Sequence, residues 1–262
     1  MKIIALMTDF GDRDGYPGIM KGVIWSIAPN AQIADLTHQI EPQDILAGAL
    51  TLARAWNYYP EGTVFVGVVD PGVGTERRAI AARIGSRYFV GPDNGLLTIP
   101  LEQAETAGEP VIIVQLDQAE FWLPNPSRSF HGRDIFAPVA AHIVNGVALE
   151  KLGTVMREPV RLTIPQPTAT VGGWQALILH VDHFGNLATG LQIEPLEGQG
   201  CTIHFGDTEI PLVLTFGDRG PGSLVAMIDS SGYLAVCVVN GNAAQRLKAK
   251  VGDMIDIRYR PA

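Results

Sequence analysis

The sequence is short of cysteine, of charge and of long apolar runs. Its 262 residues hold two cysteines, Cys201 and Cys237, far apart and without CxxC spacing. That excludes a disulfide-built scaffold or a zinc ribbon, and reads as two reduced, buried thiols. Asp, Glu, Lys and Arg make up 18% of the chain against 47% hydrophobic residues, the reverse of a disordered composition. Basic charge is scarce: 19 Lys and Arg against 27 Asp and Glu leave a net charge of -8, which speaks against a nucleic-acid partner. No run approaches the roughly 18 apolar residues of a membrane span. The apolar start is too short for a signal-peptide core, and Asp9 ends it. The expectation is a cytoplasmic protein without a membrane partner. GxSxG, Walker and HExxH strings are missing, as is any adequate Cys/His cluster. Serine-type acyl transfer, phosphoryl transfer and metal hydrolysis are disfavoured, and no metal site is expected.

What is present is an α/β pattern. Lys2–Thr8, Gln32–Leu36, Thr63–Val69 and Val111–Leu116 read as strands, the third an unbroken apolar run suited to a sheet buried on both faces. Ala79–Ile84 and Tyr88–Val90 read as a hairpin. Tyr16–Ala28, Pro42–Tyr58 and Asp134–Val144 carry helical spacing, the second with Pro at its start. The stretch 158–173 holds three prolines and paired glycines. Beyond it the chain becomes short strand signals separated by Gly, Pro and Asp turns. The expected organisation is an N-terminal α/β domain with a mixed sheet at 1–160, a linker at 161–173, and a smaller all-β barrel domain at 174–262.

Polar residues collect where these strands end. Asp9 follows the first strand, where an open α/β sheet presents its ligand loops, and a carboxylate there suits a ribose diol. Its plainer reading is a loop or helix cap. Asp70 ends the buried third strand, and the Pro/Gly loop after it can return Arg77 toward it as a charge-assisted pair. Gly91–Leu97 contains an Asn-Gly turn. His131 precedes a helix, poised for acid/base or hydrogen-bonding work. In His180–Asn186, Phe184 can stack on a ring and Asn186 offers both donors and acceptors. Asp229–Leu234 and Asn240–Ala244 are turn and loop segments rich in backbone donors. Residue pattern alone stops at a two-domain enzyme with an Asp, Arg, His site.

Four strings taken together, TDFG at 8–11, VVDPGVGTERR at 68–78, FHGRDIFAP at 130–138 and VDHFGN at 181–186, carry a resemblance. The chain resembles, over nearly its full length, the adenosine-forming S-adenosyl-L-methionine (SAM) hydrolases, also called SAM hydroxide adenosyltransferases, relatives of fluorinase and chlorinase. The resemblance implies an α/β domain joined to a β-barrel. It implies a homotrimer with its site at the subunit interface, and hydrolysis of SAM to adenosine and L-methionine with no cofactor. The family's catalytic Asp, Arg and His fall on Asp70, Arg77 and His131, with Arg78 adjacent. The substrate-binding positions fall on Asp9, Asp70, Asp182, Phe184, Asn186, Ser230, Tyr233, Val238, Asn242 and Ala243. Fluorinases carry an arginine where Ser231 stands. An aspartate beside the nucleophile repels halide and orients water. The attack implied is in-line, by water on ribose C5′, and two residues, Asp70 and His131, are available to take the proton. The alternatives are a SAM- or adenosine-binding protein without turnover, and a halide-using 5′-halo-5′-deoxyadenosine synthase.

Overall fold

Two unbroken apolar runs form the centre of the first sheet, and their ends place the polar residues of interest. The computed structural model describes residues 2–192 and 200–259. The chain divides into two units, Met1–Leu162 and Thr163–Ala262. The first runs β1 (Ile3–Thr8), α1 (Tyr16–Ile27), β2 (Gln32–Thr37), α2 (Ile45–Ala55), β3 (Val64–Val68), β4 (Ala79–Ile84), β5 (Arg87–Pro92), α3 (Thr98–Ala107), β6 (Val111–Leu116), α4 (Ala137–Val144) and β7 (Gly153–Met156). Among the described residues its strands make one seven-stranded sheet in the order β2-β1-β3-β5-β4-β6-β7. Pairing is parallel from β2 to β5 and antiparallel from there to β7.

Alternate residues of the central strands feed two cores, as the period of two in a strand requires. Ile4, Leu6, Val64, Val66 and Val68 pack with α1 and α4 on one face. Ala5, Met7, Phe65 and Val69 pack with α2 and α3 on the other. Both faces are covered, so these strands carry no polar alternation. From β1 the chain travels through α1 outward to β2, then returns through α2 to β3 on the other side of β1. The strand order therefore reverses between β1 and β3. In an open α/β sheet the crevice beyond such a reversal, at the carboxyl ends of the strands, is where ligands bind. Asp9 and Asp70 stand just past those two ends.

The second unit runs β8 (Thr168–Thr170), β9 (Gly173–Val181), β10 (Leu187–Gln192), β11 (Cys201–Phe205), β12 (Thr208–Ile210), β13 (Leu224–Ile228), β14 (Tyr233–Val238), α5 (Ala243–Leu247) and β15 (Met254–Tyr259). Its antiparallel sheet has the path β12-β11-β15-β9-β10-β14-β13, with β8 beside β9. The segment after β12 hydrogen-bonds β13: the Val213 N–H donates to Ala226 O and the Ala226 N–H to Pro211 O, both at 2.9 Å. That brings the sheet close to closure. Ile178, Leu187, Ile203, Val236 and Ile257 fill its interior. The molecule is thus an α/β unit with a mixed sheet followed by a nearly closed antiparallel β unit. No disulfide joins the buried Cys201 and Cys237. Among the described residues no helix is long and apolar enough to cross a membrane.

Local structure departs from the sequence pattern in five places. The expected helix at Pro42–Tyr58 spans only Ile45–Ala55, capped by Asp44, with a 3-10 turn at Trp56–Tyr58. Pro42 lies outside because Gln43 sits at φ 69, a left-handed conformation that no helix contains. Helix α3 has too little apolar contrast along TIPLEQAETA to be read as periodic, yet it buries Leu101 and Ala104. The expected helix at Asp134–Val144 is α-helical only from Ala137; Gly132–Phe136 is a π-helical turn. The β unit also contains the short helix α5. Within 161–173, Thr168–Thr170 pair with β9.

Phe65 and Phe89 stack in the α2/α3 core with centroids 5.2 Å apart, and Trp56 meets Phe89 edge-on. Phe65→Ala is expected to lower the unfolding free energy by about 3–5 kcal/mol in denaturant titration. A loss below about 1 kcal/mol would contradict this packing.

Candidate active site

Strand β3 delivers Asp70 and the loop after it brings Arg77 back. Gly74 takes φ 77, and a Cβ there would lie 2.2 Å from the carbonyl oxygen of Arg128. The loop therefore seats directly on the segment leading to His131. Arg77 grips Asp70 with both arms of its guanidinium: Nε donates to Oδ1 at 2.9 Å and Nη2 to Oδ2 at 2.5 Å. The two side chains are only 10% and 4% exposed, so the pair is shielded and its charge-assisted bonds are strong. The same Nη2 also donates to Nδ1 of His131 at 2.8 Å. The Arg77 guanidinium lies over the Phe136 ring, 5.3 Å from its centroid.

That last bond fixes the imidazole. A guanidinium can only donate, so Nδ1 of His131 accepts, and the ring proton of the neutral form sits on Nε2. Burial, and next the Arg77 charge, pull the His131 pKa below its ordinary 6.5, against the weaker opposing pull of Asp70 and Asp134. His131 is therefore neutral at pH 7 and presents an Nε2–H. It stands as N-cap of the π-helical turn, a local geometry often found at functional sites. That turn is braced by Asp134, whose carboxylate receives Arg133 Nε at 2.6 Å and the Ser127 N–H at 2.8 Å.

The two adjacent arginines part company. Arg78 donates from Nε to Asp93 at 2.7 Å and from Nη2 to Glu158 O at 2.8 Å. Asp93 also accepts the Val160 N–H. Arg78 thus clamps the chain at 158–160, while Arg77 alone joins Asp70 to His131. The Asn94-Gly95 turn serves the same locality: Asn94 Nδ2 donates to the Val69 carbonyl, one residue before Asp70. Asp9 uses Oδ2 to accept the Gln43 N–H at 2.8 Å, which holds the left-handed turn before α2. Among the described residues its Oδ1 accepts no hydrogen bond.

In the β unit the structure gathers some expected residues and separates others. Asp182 closes the β9–β10 turn on itself, accepting the N–H groups of Phe184 and Asn186 and the Asn186 side-chain amide at 2.8–2.9 Å. Its carboxylate is therefore committed to shaping the loop. Gly185 takes φ 83 against Asn242. The Ala244 N–H reaches Gly185 O at 3.0 Å. Asn242 caps α5 by accepting the Gln245 N–H. Asp182, Phe184, Asn186, Val238, Asn242 and Ala243 thus share one end of the unit, with the Phe184 ring 70% exposed. Ser230 and Tyr233 lie at the other end of β14, about 17 Å along the strand. Between them Cys237 has its thiol pushed up to about 12, by burial and then by the carboxylates of Asp182 and Asp229. Phe136 and Gln43 were not marked by sequence pattern, and Asn94 was marked only as a turn residue. Phe136 lies five residues after His131, a spacing that becomes one face only in a π-turn. Among the described residues no group of three His, Cys, Asp or Glu is placed to hold a metal ion.

Residues 4–153 match the SAM hydroxide adenosyltransferase N-terminal domain, and residues 176–256 match the C-terminal domain of the same family. The chain belongs to the SAM hydroxide adenosyltransferase family. Relatives named (R)-S-adenosyl-L-methionine hydrolase occur in Salinispora tropica, 40% identical over 260 residues and covering 97% of each chain, and in Thermus thermophilus, 39% identical over 256 residues and covering 96% of this chain and 98% of that one. A fluorinase of Actinoplanes is 31% identical, covering 89% of this chain and 90% of that one. A crystal structure of a conserved protein from Thermotoga maritima superposes with a TM-score of 0.89 at 37% identity, covering 97% of this chain and 99% of that one.

The arrangement at His131 is directly measurable in this family member. Nitrogen-15 NMR is expected to show the Nε2–H tautomer at pH 7.5 and a titration midpoint below 6.5. A protonated Nδ1 in the neutral form, or a midpoint above 6.5, would contradict the geometry.

Proposed function

We propose that this chain hydrolyses SAM to adenosine and L-methionine. The relatives' names point to the (R) sulfonium epimer as its substrate. The observation that carries the reading is the Asp70–Arg77–His131 network at the strand-order reversal. The electrophile is ribose C5′, made reactive by the sulfonium. Methionine leaves as a neutral thioether, so sulfur needs no general acid. The demand falls on the nucleophile, a weak one that must be stripped of bulk water and aimed.

The network supplies complementary contacts for one water. The His131 Nε2–H donates to the water oxygen, and Asp70 accepts a water O–H, since each carboxylate oxygen keeps lone pairs beyond those used by Arg77. The remaining lone pair on the water faces C5′. As the O–C5′ bond forms, the C5′–S bond breaks and its electron pair stays on sulfur. The proton released passes to Asp70 and from there to solvent. His131 already carries its proton on the nitrogen facing the water, so Asp70 is the acceptor. Orientation of this kind is worth several kcal/mol, and proton acceptance about 10²–10⁴-fold in rate. The Asp70 carboxylate repels chloride and fluoride, which favours water over halide.

Asp9 is assigned to the ribose diol through the oxygen that Gln43 leaves open. Asp182, Phe184, Asn186, Ser230, Tyr233, Val238, Asn242 and Ala243 are assigned to substrate binding. The exposed Phe184 ring offers a stacking face, and the Asp182-shaped loop offers its backbone and Asn186. We assign the protein to the cytoplasm, as a homotrimer with its site at the subunit interface and without a metal or redox cofactor. The chemistry needs none, because the sulfonium is already an activated leaving group.

Chromatography after incubation with each SAM epimer tests the reading. Adenosine is expected from (R)-SAM, with no 5′-halo-5′-deoxyadenosine on adding chloride or fluoride. Asp70→Asn, Arg77→Met and His131→Ala are each expected to lower kcat at least about 10²-fold with the fold retained, while Arg78→Met stays within about threefold. Wild-type turnover in the first three would contradict the site. Protonating His131 places a proton on the nitrogen that Arg77 occupies, so kcat is expected to fall on the acid side with a midpoint below pH 6.5. An acid limb centred above 6.5 would contradict the role of neutral His131.

A further inference from the structure

A second buried polar chain lies beside the Asp70 network, on the other side of the β1 end. His38 is 4% exposed and Thr8 fully buried. Nε2 of His38 lies 3.0 Å from Asp35 Oδ1, and Nδ1 lies 2.9 Å from the Thr8 hydroxyl. A carboxylate only accepts, so Nε2 carries the proton and Nδ1 of the neutral ring accepts the Thr8 O–H. The Thr8 oxygen in turn accepts the Phe10 N–H at 3.2 Å. The His38 carbonyl accepts the Gly11 N–H at 2.8 Å. Asp35 is anchored from outside by Lys21 at 2.5 Å. Burial alone would raise the Asp35 carboxyl, yet the bonds from Lys21 and His38 outweigh it and keep it ionised.

Donation runs one way along this chain, from the Phe10 N–H through the Thr8 hydroxyl and the His38 ring to Asp35, so that fixed acceptors face the peptides that follow Asp9. Among the described residues the Asp9 side chain has only the Gln43 N–H to hold it. Its backbone N–H donates to Val68 O of β3 at 3.4 Å, while the next two N–H groups, of Phe10 and Gly11, are held from the Thr8 and His38 side. A hydroxyl that can rotate would hold the Phe10 N–H poorly; His38 Nδ1 removes that freedom.

We infer that His38 is a positioning residue for ribose recognition: through the Thr8 hydroxyl and its own carbonyl it sets the 8–11 turn so that Asp9 faces the sugar diol. This rests on the assignment of Asp9 to the ribose made above.

The two ring nitrogens have different jobs, and this gives the test. Asparagine places a polar atom where Nδ1 stands, and glutamine places one where Nε2 stands. The full-length chain is titrated calorimetrically with adenosine and with 2′-deoxyadenosine, which lacks one diol hydroxyl. Wild-type protein is expected to prefer adenosine by at least about tenfold, as for a hydrogen bond to a charged group. His38→Asn is expected to keep that preference. His38→Gln and Thr8→Val are expected to bring it close to one, with the affinity for 2′-deoxyadenosine unchanged within about twofold. Should His38→Gln fail to fold, the isosteric Thr8→Val decides. Retention of the full preference in Thr8→Val, or equal weakening of both nucleosides, overturns the inference, the latter being the mark of a merely structural role. A wild-type protein with no preference overturns it together with the ribose assignment of Asp9. A wild-type protein that prefers adenosine but releases none from SAM removes the hydrolase reading and leaves this inference standing.

Discussion

One guanidinium organises the candidate site. Arg77 spends three N–H groups on two nitrogens: Nε and Nη2 close a fork on Asp70, and the second N–H of Nη2 reaches His131. Without it, a shielded carboxylate would lie beside an imidazole free to take either tautomer. With it, Asp70 is held in one orientation and His131 is held neutral with its proton on the far nitrogen. A single cation thereby turns two titratable groups into one acceptor and one donor, the pair of contacts that a water nucleophile requires. Phe136 beneath the guanidinium and Arg128 beneath the Gly74 turn keep that cation where it is.

The fold supplies the remaining constraint. The strand order reverses between β1 and β3, so the chain ends of these two neighbours diverge and leave a crevice. Two carboxylates occupy its lip, and they differ in company. Asp70 is locked by a cation and shielded, which suits it to hold water. Among the described residues Asp9 is tied by a single backbone N–H and keeps one oxygen open, which suits it to receive hydroxyl groups. Similar side chains at equivalent strand ends acquire different chemistry from their partners alone. The His38–Thr8 chain belongs to the second of these, and His38 and Thr8 are as buried as the core around them.

Much of this could be read from the residues. The double-faced burial of β1 and β3 followed from runs without polar interruption, and the change in texture after the Pro-rich stretch marked a change from α/β to β. The four motif strings pointed to Asp70, Arg77 and His131, which the fold brings into one hydrogen-bonded network. What escaped reading is what depends on tertiary register. Arg77 and Arg78 are neighbours in sequence, and only the path of the Gly74 loop sends one to Asp70 and the other to Asp93. The π-turn after His131 carries no compositional mark, so Phe136 stayed hidden at a spacing of five. Pro42 looked like a helix start until Asp9, 34 residues away, imposed a left-handed Gln43. That Asp182 also shapes its own loop, accepting two backbone N–H groups and the Asn186 amide, could not be read from its position in the motif. Local patterning specifies elements well, but it does not say which of several partners a polar group will meet across the fold.

The most direct test of water as the attacking group at C5′ is isotopic. The full-length protein is incubated with (R)-SAM in water enriched in oxygen-18, and both products are analysed by mass spectrometry. One oxygen-18 atom is predicted in the 5′-hydroxyl of adenosine, with none gained by methionine. Adenosine released without the label, or label appearing in the methionine-derived product, would contradict attack of an oriented water on the ribose carbon.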